Sequence, residues 1–567
     1  MLSKICKPVF SLFLMLTPKQ KKGGIICVIV MMILAFSEIV AASLIVAIAT
    51  QITSPDGNPV FLAWLAIGCL VVFILKGIIA LTDSYVQNRW IQTLILDFKK
   101  RLITRYTQMD YAHQVTMNSS RSLSVLYNDA DVYMRMGLTS VGVLLSETTV
   151  FFVLMCFLMY LQPVITIILL GMFSLFGLVF VKRLMPVFKV WGKIVQETVQ
   201  AGYEAALLIL QSYKDILIFG KTDYFVKRYM DQSVLRAQVA VKAAVSQVIP
   251  RVSLEIVFIL FFVGLVLAFL WTGNEISNLA TVLSAYLYAG FRLLPSLNRM
   301  IIQINSIKMS EASIERIVSE MQSPYHKGVY VSEPQLTFDH KIGIQNVSFS
   351  YPNKEKTVLD QINLEISKGE FIGIIGETGS GKSTLLHLIL GLLLPSNGDI
   401  LIDGKYIASS CEWHSKIGYA AQDFHLIDGS IADNIAFGVS VEDRDIERVK
   451  AVIKDAQLDR FVDSLPGGLE TTIGEKGVLI SGGERQRIAL ARALYPKPEI
   501  LMLDEATSAL DLDTEKSIMD AVITLKDKDM TIIAVTHRLD TLKKADRVIT
   551  IEKGQITKDK KGKKDAA

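Results

Sequence analysis

The sequence predicts an α-helical membrane domain of six spans followed by an α/β domain. Three observations predict it. Long charge-free apolar runs recur up to about residue 300, and from about 338 the texture changes to strands, glycine turns and charged helices. The third is the stretch Gly376-Glu377-Thr378-Gly379-Ser380-Gly381-Lys382-Ser383-Thr384, set between the apolar run Phe371-Ile-Gly-Ile-Ile and the helical run Leu385-Leu-His-Leu-Ile-Leu. A chain of 567 residues holds more than one domain. With 51% hydrophobic and 20% charged residues it is too apolar for an ordinary soluble enzyme. A net charge of +4 gives no reason to expect nucleic acid as a partner. The cysteines Cys6, Cys27, Cys69, Cys156 and Cys411 are scattered, without metal spacing, so neither a disulfide framework nor a zinc site is expected.

Residues 1–22 join Lys4 and Lys7, the apolar run from Val9 to Leu16, and Lys19, Lys21 and Lys22. The run is too short to span a bilayer and no A-x-A-like cleavage site follows it, so an interfacial amphipathic helix is expected. The membrane domain, 23–325, contains spans expected near 25–50, 60–82, 140–161, 163–183, 252–272 and 279–303. Each is near the length of about 20 residues that a bilayer requires. Gln162-Pro163 is the tight turn between the third and fourth. Lysines precede the first span, and the internal connections 83–138 and 183–250 are basic, whereas 51–59 and Thr272–Asn278 carry acids but no Lys or Arg. That alternation puts both termini in the cytoplasm. The two internal connections are helix-rich in pattern, which predicts helices projecting beyond the bilayer, with Tyr213–Gly220 as a candidate contact segment.

On the sixth span Ser284, Tyr288, Arg292, Ser296, Arg299, Gln303, Ser306 and Ser310 recur at spacings of three and four, hence on one helix face. An ionised group at the bilayer centre costs about 2.5–3.5 kcal/mol on insertion scales. Either the stripe lines a water-filled cavity whose cations attract an anion, or Arg292 and Arg299 lie near the interface and snorkel, as is expected of Lys76. Pro295 can kink this helix. Glu38, alone in the first span, either lines the cavity or hydrogen-bonds a neighbouring helix.

The C-terminal domain, 338–556, opens with Ile342–Tyr351, read as an edge strand ending in an aromatic. The loop Gly376–Thr384 has the G-x-x-x-x-G-K-[ST] pattern in its strand–loop–helix context. Glycines let backbone N–H groups converge on an anion and the helix N-terminus adds positive charge. Lys382 reaches the β- and γ-phosphates and Ser383 binds Mg²⁺ in such a loop. The apolar strand at Glu499–Leu503 delivers the carboxylates Asp504 and Glu505, one for the metal shell and one to orient or deprotonate a water. A second such strand, Thr531–Val535, ends at His537. The basic tail 557–567 reads as a solvated charge run.

These motifs resemble the nucleotide-binding domain of ABC transporters, and the whole chain resembles an ABC exporter half-transporter. The resemblance adds Gln422 as the Q-loop residue, Ile480-Ser481-Gly482-Gly483-Glu484 as the signature, Ser508–Asp511 as the D-loop and His537 as the switch histidine. It implies six transmembrane helices of the ABC exporter type fused to a P-loop ABC ATPase domain, with ATP and Mg²⁺. Gln422 and Asp504 join Ser383 around the metal, Glu505 acts as general base, and Tyr351 stacks on adenine. Ser481 and Gly483 cap the γ-phosphate bound by a second identical subunit, so a homodimer is expected. The signature departs from the commonest form at Ile480 and at Glu484, whose charge is expected near the triphosphate, where it could tune turnover.

The sixth helix, Tyr288–Arg299, is similar to that of bacterial lipid-linked-oligosaccharide flippases of the PglK type. That implies an anionic lipid-linked cargo in the bacterial cytoplasmic membrane, with Arg292, Arg299, Arg89 and Arg251 as substrate contacts. The leader-cleaving cysteine protease domain of some peptide exporters is not expected ahead of the first span. A peptide, a lipid A-like lipid or a drug is the alternative cargo, and a non-transporting regulatory ATPase the alternative class.

Overall fold

The computed structural model describes residues 16–53, 58–272, 276–322, 337–351, 356–406, 411–422, 424–474, 480–505, 512–526, 529–536 and 542–561. These form two compact units, Met1–Thr107 with Met117–Pro324, and Gln108–Thr116 with Tyr325–Ala567.

In the first unit, α1 (Pro18–Thr53) and α2 (Pro59–Thr107) form the first hairpin. The start of α1 is fixed locally. Thr17 and Gln20 exchange backbone-to-side-chain hydrogen bonds in a capping box, and Pro18 takes the first helical position. Lys19, Lys21 and Lys22 therefore belong to α1 and not to a separate segment ending at 22.

Past α3 (Tyr111–Thr116), which belongs to the second unit, a short helix and a π-helical run, Ser124–Met134, lead into α4 (Arg135–Leu161). Gln162 turns the chain, and Pro163 starts α5 (Pro163–Arg183), as the sequence indicates. Then come α6 (Met185–Gln211), α7 (Thr222–Thr272) and α8 (Ile276–Gln322), with Pro250 inside α7 and Pro295 inside α8. At 49 residues α2 is roughly 73 Å long, against about 30 Å of hydrocarbon. Among the described residues five helices are long and apolar enough to cross a membrane, and α8, which carries the sixth expected span, is not one of the five. Between α6 and α7 a short helix at Tyr213–Ile218 exposes Leu217, Ile218 and Phe219.

The second unit holds two sheets. Strands β1 (Lys341–Ser350), β2 (Thr357–Ser367), β4 (Asn397–Ile402) and β5 (Lys405–Tyr406) form an antiparallel sheet in the order β2-β1-β4-β5. Strand β1 is thus central, contrary to its reading as an edge. It pairs on both sides, with irregular register around Asn346 at φ 48°.

The other sheet has the order β10-β9-β3-β8-β7-β6, formed by β3 (Phe371–Ile375), β6 (Ile417–Ala420), β7 (Ile500–Asp504), β8 (Thr531–Val535), β9 (Arg547–Glu552) and β10 (Gln555–Lys561). Its inner strands are parallel. Ile372, Ile374, Met502 and Ile533 enter one core; Phe371, Leu501, Leu503 and Ile532 enter another. Successive side chains point to opposite faces, and both faces are covered, so the strands read as unbroken apolar runs.

Candidate functional site

The phosphate loop leaves β3 and enters α9 (Lys382–Ile389). Its shape depends on two glycines. A Cβ on Gly376 would lie 2.2 Å from the Ile551 carbonyl oxygen, and Gly381, at φ 108°, opens α9 where a Cβ would meet Leu359 at 2.6 Å. Glu377, Thr378 and Gly379 form the exposed tip. Lys382 is buried, and its ammonium donates to the carbonyls of Gly376 and Glu377, both at 3.0 Å. The Ser380 hydroxyl is buried and has no partner among the described residues. An uncommitted donor beside a folded-back lysine fits an anion in this loop.

Strand β7 brings Asp504 alongside. Ser383 Oγ donates to Asp504 Oδ1 at 3.2 Å, and the Tyr419 hydroxyl, on the neighbouring β6, donates to Oδ2 at 3.4 Å. Glu505 follows at φ 48°, a left-handed backbone uncommon for a non-glycine residue, with its amide donating to the Val535 carbonyl. Gln422 Nε2 donates to Glu505 Oε2 at 2.9 Å. Lys382, Ser383, Gln422, Asp504 and Glu505 thus converge as the sequence indicates. Burial pushes the Asp504 carboxyl up and the Lys382 ammonium down, so each charge is held at a cost that Mg²⁺ and phosphate would relieve. One hydroxyl and the carboxylates beside it suit a hard, oxygen-liganded cation. His537 lies outside the described residues, as do Ser508 and Asp511.

Tyr351 meets Phe349 edge-on at 5.0 Å, and its hydroxyl is 3.3 Å from Thr384 Oγ1. One turn further along α9, Tyr111 of α3 packs edge-on against His387 at 5.1 Å, a neighbour with no motif to reveal it.

The signature opens α10 (Gly482–Leu494), with Ser481 as its N-cap. Ser481 Oγ accepts from the Glu484 amide, and Glu484 Oε2 accepts from the Ser481 amide at 2.7 Å. Glu484 is therefore turned back on its own helix end, where Glu and Gln serve equally and a negative charge favours the dipole. Local capping accounts for the residue that the sequence marks as a departure. Gly482 and Gly483 form the first turn of α10.

In the first unit the polar stripe of α8 is largely packed against its neighbours. Ser296 and Ser310 are fully buried. The Arg292 guanidinium donates from Nε to Glu38 Oε1 at 2.8 Å, and Lys76 donates to Glu38 Oε2 at 2.7 Å. Arg299 donates to Glu147 Oε1 at 2.7 Å, Ser296 Oγ to Glu147 Oε2 at 2.6 Å, and Arg292 Nη1 stands 4.0 Å from that oxygen. Arg292, Arg299 and Lys76 are thus all paired across helices. Each is held by a carboxylate, and of the two readings of Glu38 the bond to neighbouring helices is realised. Glu147 was not singled out from sequence, because it lies just before the long uncharged run; its isolation there is the signal. Ser284 is outside the side chains described.

Arg251 and Arg299 come together at a groove of ≈660 Å³ between α7 and α8. Glu255 and Asn298 share its polar end, while Phe258 and Phe291 line it about 10–12 Å further along the helices. Arg251 is paired with Glu255 at 3.0 Å. Arg89 lies exposed on α2, and no contact brings it to this group.

Residues 25–291 match the ABC transporter transmembrane region and residues 359–508 the ABC transporter family. An ATP-dependent lipid A-core flippase of Shigella sonnei is 30% identical over 514 residues, covering 87% of this chain and 85% of that protein. One of Xylella fastidiosa is 28% identical over 534 residues, covering 92% and 89%. A bacterial Atm1-family ABC exporter solved with ATP bound superposes with a TM-score of 0.76 at 21% identity, covering 94% of this chain and 95% of that one. The chain belongs to the ABC transporters, as an exporter half-transporter whose multi-pass membrane domain is fused to an ATPase domain that hydrolyses ATP with Mg²⁺ to drive transport.

Proposed function

We propose that this chain flips an anionic glycolipid of the lipid A type across the bacterial cytoplasmic membrane, working as a homodimer. The observation that carries the reading is the groove between α7 and α8, whose arginine-bearing end and phenylalanine-lined end match a phosphorylated sugar head on acyl chains. The names of the relatives point the same way. A polyprenyl pyrophosphate oligosaccharide shares the chemistry of an anionic sugar head, and the resemblance of the sixth helix alone favours it. Arg299 and Arg251 line the groove, Arg292 lies two turns along α8 from Arg299 and is paired with Glu38, and among the described residues no contact links Arg89 to them. The lysines and arginines of the 83–138 and 183–250 connections support cytoplasmic termini and a cytoplasmic ATPase domain.

In the ATPase cycle, the loop amides, the Ser380 hydroxyl and Lys382 hold the phosphates, and Tyr351 supports the base. Ser383, Asp504 and Gln422 would hold Mg²⁺, which when bound would neutralise charge on the phosphates. Glu505, kept in place by Gln422, orients the attacking water and accepts its proton, and the resemblance assigns His537 as a γ-phosphate contact. Ser481, Gly482 and Gly483 of a second copy close the site, while Glu484 only caps the helix that carries them.

The test is ATPase activity in phosphatidylethanolamine vesicles containing a lipid A-core glycolipid, a polyprenyl pyrophosphate oligosaccharide or an apolar peptide. The glycolipid should stimulate most, and Arg299→Ala should remove most of that stimulation. Stimulation by the oligosaccharide alone would return the cargo to the lipid-linked class, and stimulation by the peptide alone would reject both.

A further inference from the structure

Four helices of the first unit meet at a charge cluster deep among their apolar faces: Glu38 of α1, Lys76 of α2, Glu147 of α4, and Arg292 with Arg299 of α8. The carboxylates lie behind the cations. Side-chain exposure is 1% for Glu38 and 11% for Glu147, against 19% for Lys76, 21% for Arg292 and 41% for Arg299. An anion arriving from the accessible side therefore meets cations that already hold anions. Arg292 is engaged through Nε by Glu38 and lies with Nη1 4.0 Å from Glu147, so it is shared between the two. A buried carboxylate needs such partners, because the desolvation of an unpaired charge is not recovered. Three cations against two carboxylates leave one positive charge over.

We infer that Glu38 and Glu147 are built-in counter-anions that an incoming head group must displace, and that they set the charge the head group needs. This rests on the reading of the cargo as an anionic lipid. A phosphodiester with one charge gains too little at one cation to draw it from its carboxylate. A head group with two phosphates can hold Arg292 and Arg299 at once, which lie seven residues apart, about two turns on one face of α8. The guanidinium suits this exchange, since its fixed fork of five donors accepts carboxylate and phosphate alike. The abundant singly charged lipids of the bilayer are then rejected by competition inside the protein, without a steric filter. Glu38 and Glu147 are thus specificity-determining residues that touch the substrate's partners and not the substrate.

The experiment measures ATPase stimulation of the full chain in phosphatidylethanolamine vesicles carrying either bis-phosphorylated lipid A or phosphatidylglycerol. Wild type should respond to lipid A far more than to phosphatidylglycerol. Glu38→Gln should lower that ratio roughly tenfold, by raising the phosphatidylglycerol response, which corresponds to about 1.4 kcal/mol. The double variant Glu38→Gln with Lys76→Met restores the cluster's net charge and should restore the ratio, a rescue that a purely structural role does not give. Glu147→Gln supplies a second, independent single variant should Glu38→Gln lower expression. An unchanged ratio in both single variants overturns the inference, as does loss of both responses together without rescue. A wild type that ignores lipid A and phosphatidylglycerol alike rejects the cargo assignment instead.

Discussion

Asp504 illustrates how much of the site a single position carries. Burial raises its carboxyl, and the hydroxyls of Ser383 and Tyr419 only partly offset that. A carboxyl raised in the folded state favours folding when protonated, and that contribution is lost as pH rises through its raised value. Without Mg²⁺, Asp504→Asn should therefore melt higher than wild type at pH 7.5, by roughly 2–4 °C for each 1 kcal/mol relieved. The difference should shrink as the pH falls toward the raised carboxyl, and Mg²⁺-dependent hydrolysis should be lost throughout. A melting scan in chelator across pH checks the sign. The residues of this site were legible because a phosphate loop and a strand-end carboxylate pair are local patterns with fixed spacing. Tyr419 was not, since it reaches Asp504 only through the pairing of β6 with β7, which no local pattern records. Glu484 was legible as a residue, but its capping role was not, because its partner is the serine inside the same motif.

At the level of elements, span positions followed from apolar runs, whereas how helices approach each other did not. Gly290 of α8 shows why. A Cβ there would lie 2.0 Å from Phe258 Cζ on α7, so the close crossing of the two helices beside the groove depends on a missing methyl group. Gly290→Ala should destabilise the membrane domain by about 1–3 kcal/mol, the usual cost of overpacking. Adding Phe258→Leu should recover most of it, and melting of detergent-solubilised protein compares the three. Strand β1 makes the complementary point. Its strand character and the aromatic after it were readable, but its place between β2 and β4 is set by long-range pairing. The capping box of Thr17 and Gln20 is a local pattern that fixes where α1 begins, whereas the lysines beside it give only an orientation.

For the whole molecule, one phosphate loop and one signature per chain make the proposed dimer testable by mixing. Chains with Lys382→Ala and chains with Ser481→Arg should each be inactive alone, and a purified mixed dimer should regain hydrolysis, because one of its two sites is intact. No recovery would mean that both halves of a site come from one chain. The architecture was legible from the alternation of apolar and basic stretches, but the partners of Arg292 and Arg299 were not, since Glu38 and Glu147 lie far from them in sequence. The phosphate loop has a comparable long-range dependence, with consequences in time. Gly376 packs on the Ile551 carbonyl, the Gly554 amide donates to Ser380 O, and the Asp360 amide donates to Gly554 O. During translation Ile551 and Gly554 emerge long after the loop, by roughly 9–35 seconds at about 5–20 residues per second. Until then the nascent chain carries an unfinished cradle, so membrane insertion of the helices precedes any ability to consume ATP.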